Sequence, residues 1–278
     1  MDDLLSKKVD MSIRLLQSIP TDDGPVELSY SGGKDSDVIL ELAKMAGINY
    51  RAIYKNTTID PPGTISHCKE NGVEILQPKK SFFKMIQEKG FPSRWSRFCC
   101  SELKEYKILD RAIQGIRRCE SRKRTERYKE PEMCRAYPHK EEAKIYLPIL
   151  EWSNQDVKEF IEERGIKCHP LYYVCGVGQF DVTKRLGCVG CPLQSRKKRI
   201  QEFNENPKML RVWLKNGNQY YRNYSGEKKY FNDAFEAMGY QLYCDNMAEF
   251  NYKTHGLFGD FDWKQFFENE FKIDLNNI

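Results

Sequence analysis

The sequence predicts an α/β protein in which a mostly parallel, twisted sheet carries helices on both faces and precedes a mainly helical C-terminal region. Strand-like and helix-like segments alternate along residues 26–164, as is typical of a parallel sheet covered by helices. A glycine-rich loop follows the first strand, at the edge where such sheets bind ligands. From about residue 196 the pattern becomes helical and rich in aromatic residues, which more often build a small core than a base-stacking surface.

The spacing of apolar residues predicts the individual elements. Apolar residues recur at helical spacing in residues 1–20 and predict an N-terminal helix packed on the core. Ser153 and Asp156 have the spacing of a capping box and begin a helix at 153–164. Between these two helices we expect, in order, a strand at 26–30, a helix at 34–46, a strand at 50–54, a helix at 61–71, a strand at 73–76, a helix at 81–89, and strands at 112–116 and 145–149.

Composition restricts the class of protein. The chain has 278 residues, of which 40% are hydrophobic and 31% charged, the usage of soluble globular proteins. A net charge of +5 permits nucleotide or nucleic-acid partners but selects neither. The N-terminus lacks the pattern of a signal peptide and no apolar run is long enough to span a membrane, so we expect a cytoplasmic protein without membrane contact. In that reducing compartment the ten cysteines are metal ligands, reactive thiols or core residues rather than disulfides.

The loop at residues 31–36 predicts a phosphate site. Its adjacent glycines let the backbone turn close to an anion, and the helix that follows directs its first N–H groups at the same point. The spacing differs from that of the P-loop and of the dinucleotide fingerprint. An isolated Gly-Gly pair would be an ordinary turn, but here the whole run lies between a strand and a helix. Its residues are Ser31, Gly32, Gly33, Lys34, Asp35 and Ser36.

Two pairs of cysteines predict a metal site. Cys188 and Cys191 form a C-x-x-C turn, which directs two thiolates at one metal and would suit Zn²⁺ equally well. Cys99 and Cys100 are adjacent, and neighbouring side chains reach a bulky cluster more readily than one tetrahedral ion, given a helix start or a turn there. We therefore favour a 4Fe-4S cluster over Zn²⁺, with four unrelated buried cysteines as the remaining alternative.

Together these motifs resemble the phosphoadenylyl-sulfate (PAPS) reductase family of the PP-loop superfamily, whose adenine nucleotide alpha hydrolase-like members hold ATP phosphates in an SGGxDS loop. The resemblance extends from about residue 26 to residue 195. Besides the loop and the cysteine pairs, it includes Asn56 and Thr57 in NTTIDPPGT, the run RFCC with Lys104, the run GIRRCES with Arg124, LPI with Trp152, and HPLY at residues 169–172.

The resemblance implies an adenine-nucleotide-binding domain that carries a 4Fe-4S cluster on the four paired cysteines. It places Ser29, Asn56 and Thr57 at the nucleotide beside the loop. In relatives, the arginine-rich stretch lines the nucleotide site, which here implies roles for Arg117, Arg118 and Arg124, whose forked guanidinium groups suit phosphate or sulfate oxygens. A solvated basic surface is the alternative for any one of these arginines. We therefore divide the chain into an N-terminal helix at 1–24, a PP-loop domain at 25–195 and a helical, aromatic-rich region at 196–278.

Two departures from the family's reductases point to a different reaction. Those reductases attack sulfur with a cysteine in a C-terminal Glu-Cys-Gly motif, whereas Cys244 stands in an unrelated context and no cysteine follows it. The reductases also have a degraded loop, and here all six positions are intact. In an ATP-splitting enzyme, Lys34 would neutralise phosphate oxygens, Ser36 would donate its hydroxyl, and Asp35 would orient the loop or contact Mg²⁺.

The combination is similar to iron-sulfur PP-loop proteins of sulfur incorporation, including the DNA phosphorothioation component. It implies that ATP, bound with Mg²⁺, adenylates an acceptor, and that sulfur then replaces AMP. Nucleic acid is a candidate acceptor, and a cysteine desulfurase is a candidate sulfur donor. Two alternatives stay open: a sulfonucleotide reductase that releases sulfite with thioredoxin as reductant, and a non-catalytic nucleotide or redox sensor.

Overall fold

The computed structural model describes residues 3–174, 178–226, 230–256, 259–276 and 278. The strands are β1 (Val26–Tyr30), β2 (Tyr50–Lys55), β3 (Glu74–Leu76), β4 (Arg111–Gln114), β5 (Glu132–Tyr137), β6 (Lys140–Tyr146), β7 (His255–Gly256) and β8 (Gly259–Asp260). The α-helices are α1 (Asp3–Gln17), α2 (Lys34–Ala46), α3 (Thr64–Glu70), α4 (Phe82–Lys89), α5 (Phe98–Leu103), α6 (Arg122–Arg127), α7 (Asn154–Arg164), α8 (Arg196–Glu205), α9 (Pro207–Asn223), α10 (Ala234–Tyr243), α11 (Met247–Thr254) and α12 (Trp263–Phe271). None of the helices in these ranges is long and apolar enough to cross a membrane.

Six strands form one sheet in the order β3-β2-β1-β4-β6-β5. Neighbouring strands are parallel except for β5, which pairs with β6 in the antiparallel direction at the edge. The predicted class, a mostly parallel sheet with helices and a helical C-terminal region, is confirmed. Chain order reverses beside β1, because β2 and β4 lie on opposite sides of it. In open α/β sheets this switch point is where ligands bind, at the carboxyl ends of the strands.

The centre of the sheet is apolar, with one buried ion pair. Val26 and Leu28 of β1 are fully buried, as expected for a strand that is covered on both faces. Glu27 points into the same interior, where its Oε1 accepts a hydrogen bond from Lys55 Nζ at 2.9 Å. Its Oε2 accepts from the Leu109 N–H at 3.1 Å. Both carboxylate oxygens therefore have partners, which offsets the loss of hydration.

In the six-stranded sheet, two strand predictions were displaced and one strand was missed, and the short pair β7 and β8 was not predicted either. The strand expected at 112–116 is Arg111–Gln114, and the strand expected at 145–149 is Lys140–Tyr146, so residues 147–149 lie beyond its end. The missed strand is β5, at the edge of the sheet. Its sequence, EMCRAY, mixes charged and apolar residues without the continuous apolar pattern of a central strand, because one side of an edge strand has no neighbour.

The chain forms two compact units. The first comprises residues 1–56, 60–78 and 101–187, and it contains the six-stranded sheet. The second comprises residues 57–59, 79–100 and 188–278. Helices α4, α9 and α10 pack together in the second unit, and Trp213 lies fully buried there with its ring 4.7 Å from that of Phe82. The aromatic residues of this region thus build a core, as expected from their density.

Candidate nucleotide site and four-cysteine site

A polar cavity of about 220 Å³ lies in the first unit, where β1 and β4 end. The strands are in register here, with Ser29 of β1 opposite Gln114 of β4. The cavity therefore occupies the switch point of the sheet. Its lining combines the loop after β1 with charged residues from three later segments: Ser29, Ser31, Gly33, Lys34, Asp35, Ser36, Gly115, Glu120, Arg124, Tyr172, Arg185 and Leu186.

The loop after β1 turns sharply into helix α2. Gly32 has φ of +76°, and a Cβ at that position would lie 3.0 Å from the Thr64 side chain, so glycine is required. Gly33 caps α2, and its carbonyl oxygen accepts bonds from the Ser36 N–H at 2.8 Å and from the Ser36 hydroxyl at 2.6 Å. Helix α2 thus begins at the cavity, where the positive end of its dipole favours an anion.

Lys34 is the most deeply buried cation of the cavity. Its side chain is 3% exposed, and Nζ donates to the Lys184 carbonyl oxygen at 3.2 Å. Nζ also lies 5.2 Å from the centre of the Tyr172 ring. Burial lowers the pKa of Lys34, and the neighbouring Asp35 carboxylate opposes this effect. An ammonium group that has lost its hydration is suited to bind a phosphate oxygen strongly.

Asp35 is held by two cations. Its Oδ1 accepts from Arg117 Nε at 2.7 Å, and its Oδ2 lies 3.6 Å from Lys34 Nζ. The Arg117 side chain is 1% exposed and also donates to Asn154 Oδ1 at 3.0 Å and to Cys119 Sγ at 3.2 Å. Arg117, which was predicted to bind the nucleotide, is not among the residues that line the cavity, and its guanidinium contacts the first turn of α2 through Asp35. Asp35 was expected either to orient the loop or to contact Mg²⁺, and these contacts favour the first role.

Glu120 joins two arginines on another wall of the cavity. Its carboxylate forms ion pairs with both Arg124 and Arg185, although the Glu120 side chain is only 8% exposed. Burial lowers the pKa of Arg124, and the charge of Arg185 acts in the same direction. Sequence reasoning identified Arg124 but missed Glu120 and Arg185. The only available signals were the position of Glu120 in the GIRRCES run and the position of Arg185 shortly before the C-x-x-C turn.

The other predicted nucleotide residues lie outside the cavity lining. Arg118 donates to the Tyr128 carbonyl oxygen and pairs with Glu151. It lines a second cavity instead. Asn56 Nδ2 donates to Gln77 Oε1 at 2.9 Å, at the end of β2. Thr57 belongs to the second unit, where its Oγ1 lies 3.6 Å from Cys188 Sγ.

The four predicted ligand cysteines all belong to the second unit. Cys99 and Cys100 lie in the first turn of α5, which is the helix start that adjacent ligands need, while Cys188 and Cys191 precede α8. All four cysteines are partly buried, and none of them forms a disulfide with another residue that the structure describes. The pKa of Cys99 is raised, first by its hydrogen bond with Cys100, then by burial and by the charges of Cys100, Cys188 and Cys191. The other three cysteines therefore lie close enough to Cys99 to affect its pKa.

The chemistry of this donor set fits a thiolate-bound metal group. Four sulfur donors match either an iron-sulfur cluster or Zn²⁺. In the described ranges, however, no three His, Cys, Asp or Glu residues are grouped so that they could hold a single metal ion. The turn between Cys188 and Cys191 is closed by a bond from the Cys191 N–H to the Cys188 carbonyl oxygen at 3.3 Å.

Comparison with known proteins identifies the family. The phosphoadenosine phosphosulfate reductase domain matches residues 25–194, more than half of the chain. The chain belongs to this family. The match contains the loop after β1 and both cysteine pairs, so the two candidate sites of this PAPS reductase-family chain lie within the shared domain.

Curated relatives carry no described activity. An uncharacterized 37.8 kDa protein of Escherichia phage 186 is 31% identical over 153 residues, which is 47% of this chain and 40% of that protein. An uncharacterized protein of Methanocaldococcus jannaschii is 28% identical over 204 residues, which is 68% of this chain and 46% of that protein. The PAPS reductase-family chain thus spans less than half the length of these relatives.

Solved structures show weaker similarity. The PAPS reductase of Candida auris in complex with phosphate is 16% identical, with a TM-score of 0.45 over 68% of this chain and 96% of that chain. A U34-tRNA thiolase from Methanococcus maripaludis with its 4Fe-4S cluster is 15% identical, with a TM-score of 0.40 over 81% and 82%. All these TM-scores are below 0.5, and the family assignment rests on the domain match.

Proposed function

We propose that this PAPS reductase-family chain binds Mg-ATP at the loop after β1 and adenylates an acceptor oxygen, which activates the acceptor for the incorporation of sulfur. We base this on one observation: the intact loop and the start of α2 form one wall of a cavity that also contains Lys34, Arg124 and Arg185. A helix N-terminus with three cations suits a polyphosphate better than it suits a neutral ligand.

Transfer of AMP releases pyrophosphate as the leaving group. The acceptor oxygen attacks the α-phosphorus of ATP, and the bond from this phosphorus to the bridging oxygen of the β-phosphate breaks. Negative charge then grows on the pyrophosphate, where fixed positive groups stabilise the transition state more than the ground state. Lys34 is the principal candidate for this role, because its ammonium group is buried beside the loop.

Asp35 positions the loop in this proposal, and the substrate is Mg-ATP. Because Arg117 and Lys34 already engage the Asp35 carboxylate, most of the ligands of Mg²⁺ would be phosphate oxygens and water. Ser31 Oγ donates to Ser36 Oγ at 3.4 Å, and Ser36 Oγ donates to the Gly33 carbonyl oxygen at 2.6 Å, so each hydroxyl would have to rotate in order to donate to a phosphate oxygen.

The second half of the proposal concerns the four cysteines. Cys99, Cys100, Cys188 and Cys191 would hold a 4Fe-4S cluster, with Zn²⁺ as the alternative occupant. When bound, such a cluster supplies a site at which sulfur can be carried or delivered. This combination resembles the DNA phosphorothioation type of iron-sulfur PP-loop protein. The proposed acceptor is a nucleic acid, and the proposed donor of sulfur is a cysteine desulfurase.

The family match favours a second candidate, a sulfonucleotide reductase. That reaction needs an accessible thiolate to attack sulfur. Cys244 is fully buried and burial raises its pKa, so in this structure it is poorly suited to be the nucleophile. A reductase would therefore need a different thiol.

Product analysis distinguishes the proposals. The protein is purified without oxygen and incubated separately with Mg-ATP plus nucleic acid, with adenylyl sulfate, and with PAPS plus thioredoxin. We expect pyrophosphate from ATP together with AMP, which stays bound to the acceptor until a sulfur donor or water displaces it, with Lys34→Met as the impaired control. Sulfite from either sulfonucleotide would support the reductase, and tight nucleotide binding without any product would indicate a sensor.

A further inference from the structure

Two charged side chains of helix α8 form hydrogen bonds with the C-x-x-C turn of the four-cysteine site. Arg199 Nε donates to the Gly190 carbonyl oxygen at 3.0 Å. Glu202 Oε2 accepts from the Gly190 N–H at 2.9 Å, so both polar groups of this residue are bound. Gly190 has φ of +75°, and a Cβ there would lie 2.3 Å from the Phe203 ring. Helix α8 therefore fixes the turn that carries Cys188 and Cys191.

Arg199 is a buried cation whose hydrogen-bond partners are neutral. It is 4% exposed, and besides Gly190 its guanidinium contacts Gln241 Oε1 at 3.0 Å and Met238 Sδ at 3.9 Å. In the part of the chain that the structure describes, Arg199 forms no ion pair with a carboxylate. Burial lowers the pKa of this guanidinium to about 10, which leaves it charged at neutral pH, and Cys191, followed by Glu202, opposes the shift.

A buried charge is unfavourable unless an opposite charge lies close to it. Four thiolates that hold a metal group supply negative charge next to the turn that Arg199 contacts. We infer that Arg199 is a positioning residue of the four-cysteine site, which holds the C-x-x-C turn in place and balances the negative charge of its thiolates when metal is bound. This inference rests on the metal-binding half of the proposed function.

Two measurable consequences follow from this role. Residues that support metal ligands typically change metal affinity by about 10–100-fold when they are replaced. A nearby positive charge also stabilises the more negative, reduced form of an iron-sulfur cluster and so raises its reduction potential. Loss of the charge of Arg199 should therefore lower the potential, and loss of its contacts with the turn should weaken the retention of metal.

The experiment compares three substitutions in the full chain after anaerobic reconstitution with iron and sulfide. Arg199→Lys keeps the charge but loses the forked contacts, Arg199→Gln keeps a donor but loses the charge, and Arg199→Met loses both. Lys197→Met is the matched control, because Lys197 is an exposed cation on the same helix. We measure iron and sulfide per chain, the rate of metal loss to a chelator, and the midpoint potential.

We expect Arg199→Met to lose metal about 10–100-fold faster than the wild type, while Lys197→Met is unchanged. Arg199→Gln should have a lower potential than Arg199→Lys, and a tenfold change in the ratio of oxidised to reduced cluster corresponds to about 59 mV. If Arg199→Met does not fold, the difference in reduction potential between Arg199→Gln and Arg199→Lys still tests the role of Arg199. Equal potentials and equal retention in all variants would overturn the role of Arg199, whereas a wild type that binds no metal would instead overturn the metal-binding proposal.

Discussion

Arg117 Nε donates to Asp35 Oδ1 at 2.7 Å and thereby ties the first turn of α2 to the segment that follows β4. These two segments lie at the switch point of the sheet, and the contact holds Asp35, which lines the cavity, while Arg117 is not among the lining residues. The buried guanidinium of Arg117 thus stabilises the loop after β1, which is the proposed phosphate site.

Arg117→Met should destabilise the protein strongly. Removal of one partner from a buried ion pair leaves the other uncompensated and costs about 3 kcal/mol or more of unfolding free energy. Arg122→Met is the control, because Arg122 is 92% exposed and its pair with Glu126 is on the surface. The control should change the unfolding free energy by less than about 1 kcal/mol. Urea denaturation measures both, and equal losses would contradict a special role for Arg117.

Gly32→Ala should weaken nucleotide binding as well as stability. A left-handed φ costs an alanine about 1–2 kcal/mol, and the added Cβ would also crowd Thr64. Gly47→Ala is a matched control, since Gly47 has φ of +65° with open space around it at the far end of α2. Calorimetric titration with a non-hydrolysable ATP analogue should show wild-type affinity for Gly47→Ala and weaker affinity for Gly32→Ala. If both variants bind equally well, the loop conformation is not needed for binding.

Lys34→Met should reduce the release of pyrophosphate from Mg-ATP by about 100–1,000-fold, because one fixed group that stabilises transition-state charge is lost. Lys44→Met, on the same helix with a side chain 51% exposed, should have wild-type activity. A coupled pyrophosphate assay measures both rates. Full activity of Lys34→Met would remove Lys34 from the proposed mechanism.

Stability should fall between pH 7.5 and pH 5.5 because of His169. Burial lowers the pKa of His169 in the folded protein, so below the ordinary value of 6.5 the unfolded chain binds a proton that the folded chain does not. The contribution of His169 is complete from about pH 7.5 upward and is lost by at most about 1.4 kcal/mol per pH unit as the pH falls through 6.5.

The variant His169→Asn isolates this effect. The Nδ1 atom of His169 accepts a bond from the Leu171 N–H at 3.1 Å, and an asparagine oxygen can replace that acceptor. Urea denaturation at several pH values should show a shallower acid dependence for His169→Asn. An unchanged slope would mean that other groups cause the loss of stability.

Cysteine alkylation should follow burial. Cys119 and Cys134 are exposed and should react with iodoacetamide in the native protein, whereas Cys68, Cys168 and Cys244 are buried and should react only after unfolding. Burial also raises the pKa of Cys68 to about 12, which removes its thiolate at neutral pH. Mass spectrometry of native and denatured samples gives the pattern. If Cys244 were alkylated rapidly in the native protein, it would again be a candidate nucleophile for the reductase reaction.

Local sequence patterns predicted the centre of the fold and the loop. Strand β1, helix α2 and the glycine turn between them depend on neighbouring residues, so their positions could be inferred directly. The edge hairpin of β5 and β6 could not, since its pairing is visible only once the sheet is assembled. A charged edge strand is in general hard to predict from sequence, because it lacks the apolar pattern of a buried strand.

The cavity residues that come from later parts of the chain could not be predicted either, because they are brought together only by the fold. Glu120 and Arg185 are 65 residues apart, and no spacing rule connects them before the fold brings them together. Arg117 and Arg118 are adjacent in sequence, yet one supports Asp35 while the other lies away from the cavity. An arginine-rich run predicts an anion site nearby but does not tell which of its members face the ligand.

The most direct test of the central claim is the identity of the two fragments formed from Mg-ATP by the anaerobically purified protein in the presence of nucleic acid, the proposed acceptor. Cleavage between the α- and β-phosphates gives AMP and pyrophosphate in equal amounts once the adenylated acceptor has turned over, and Lys34→Met should give neither. ADP with inorganic phosphate as the products, or sulfite from PAPS with ATP left intact, would contradict adenylation at the loop after β1.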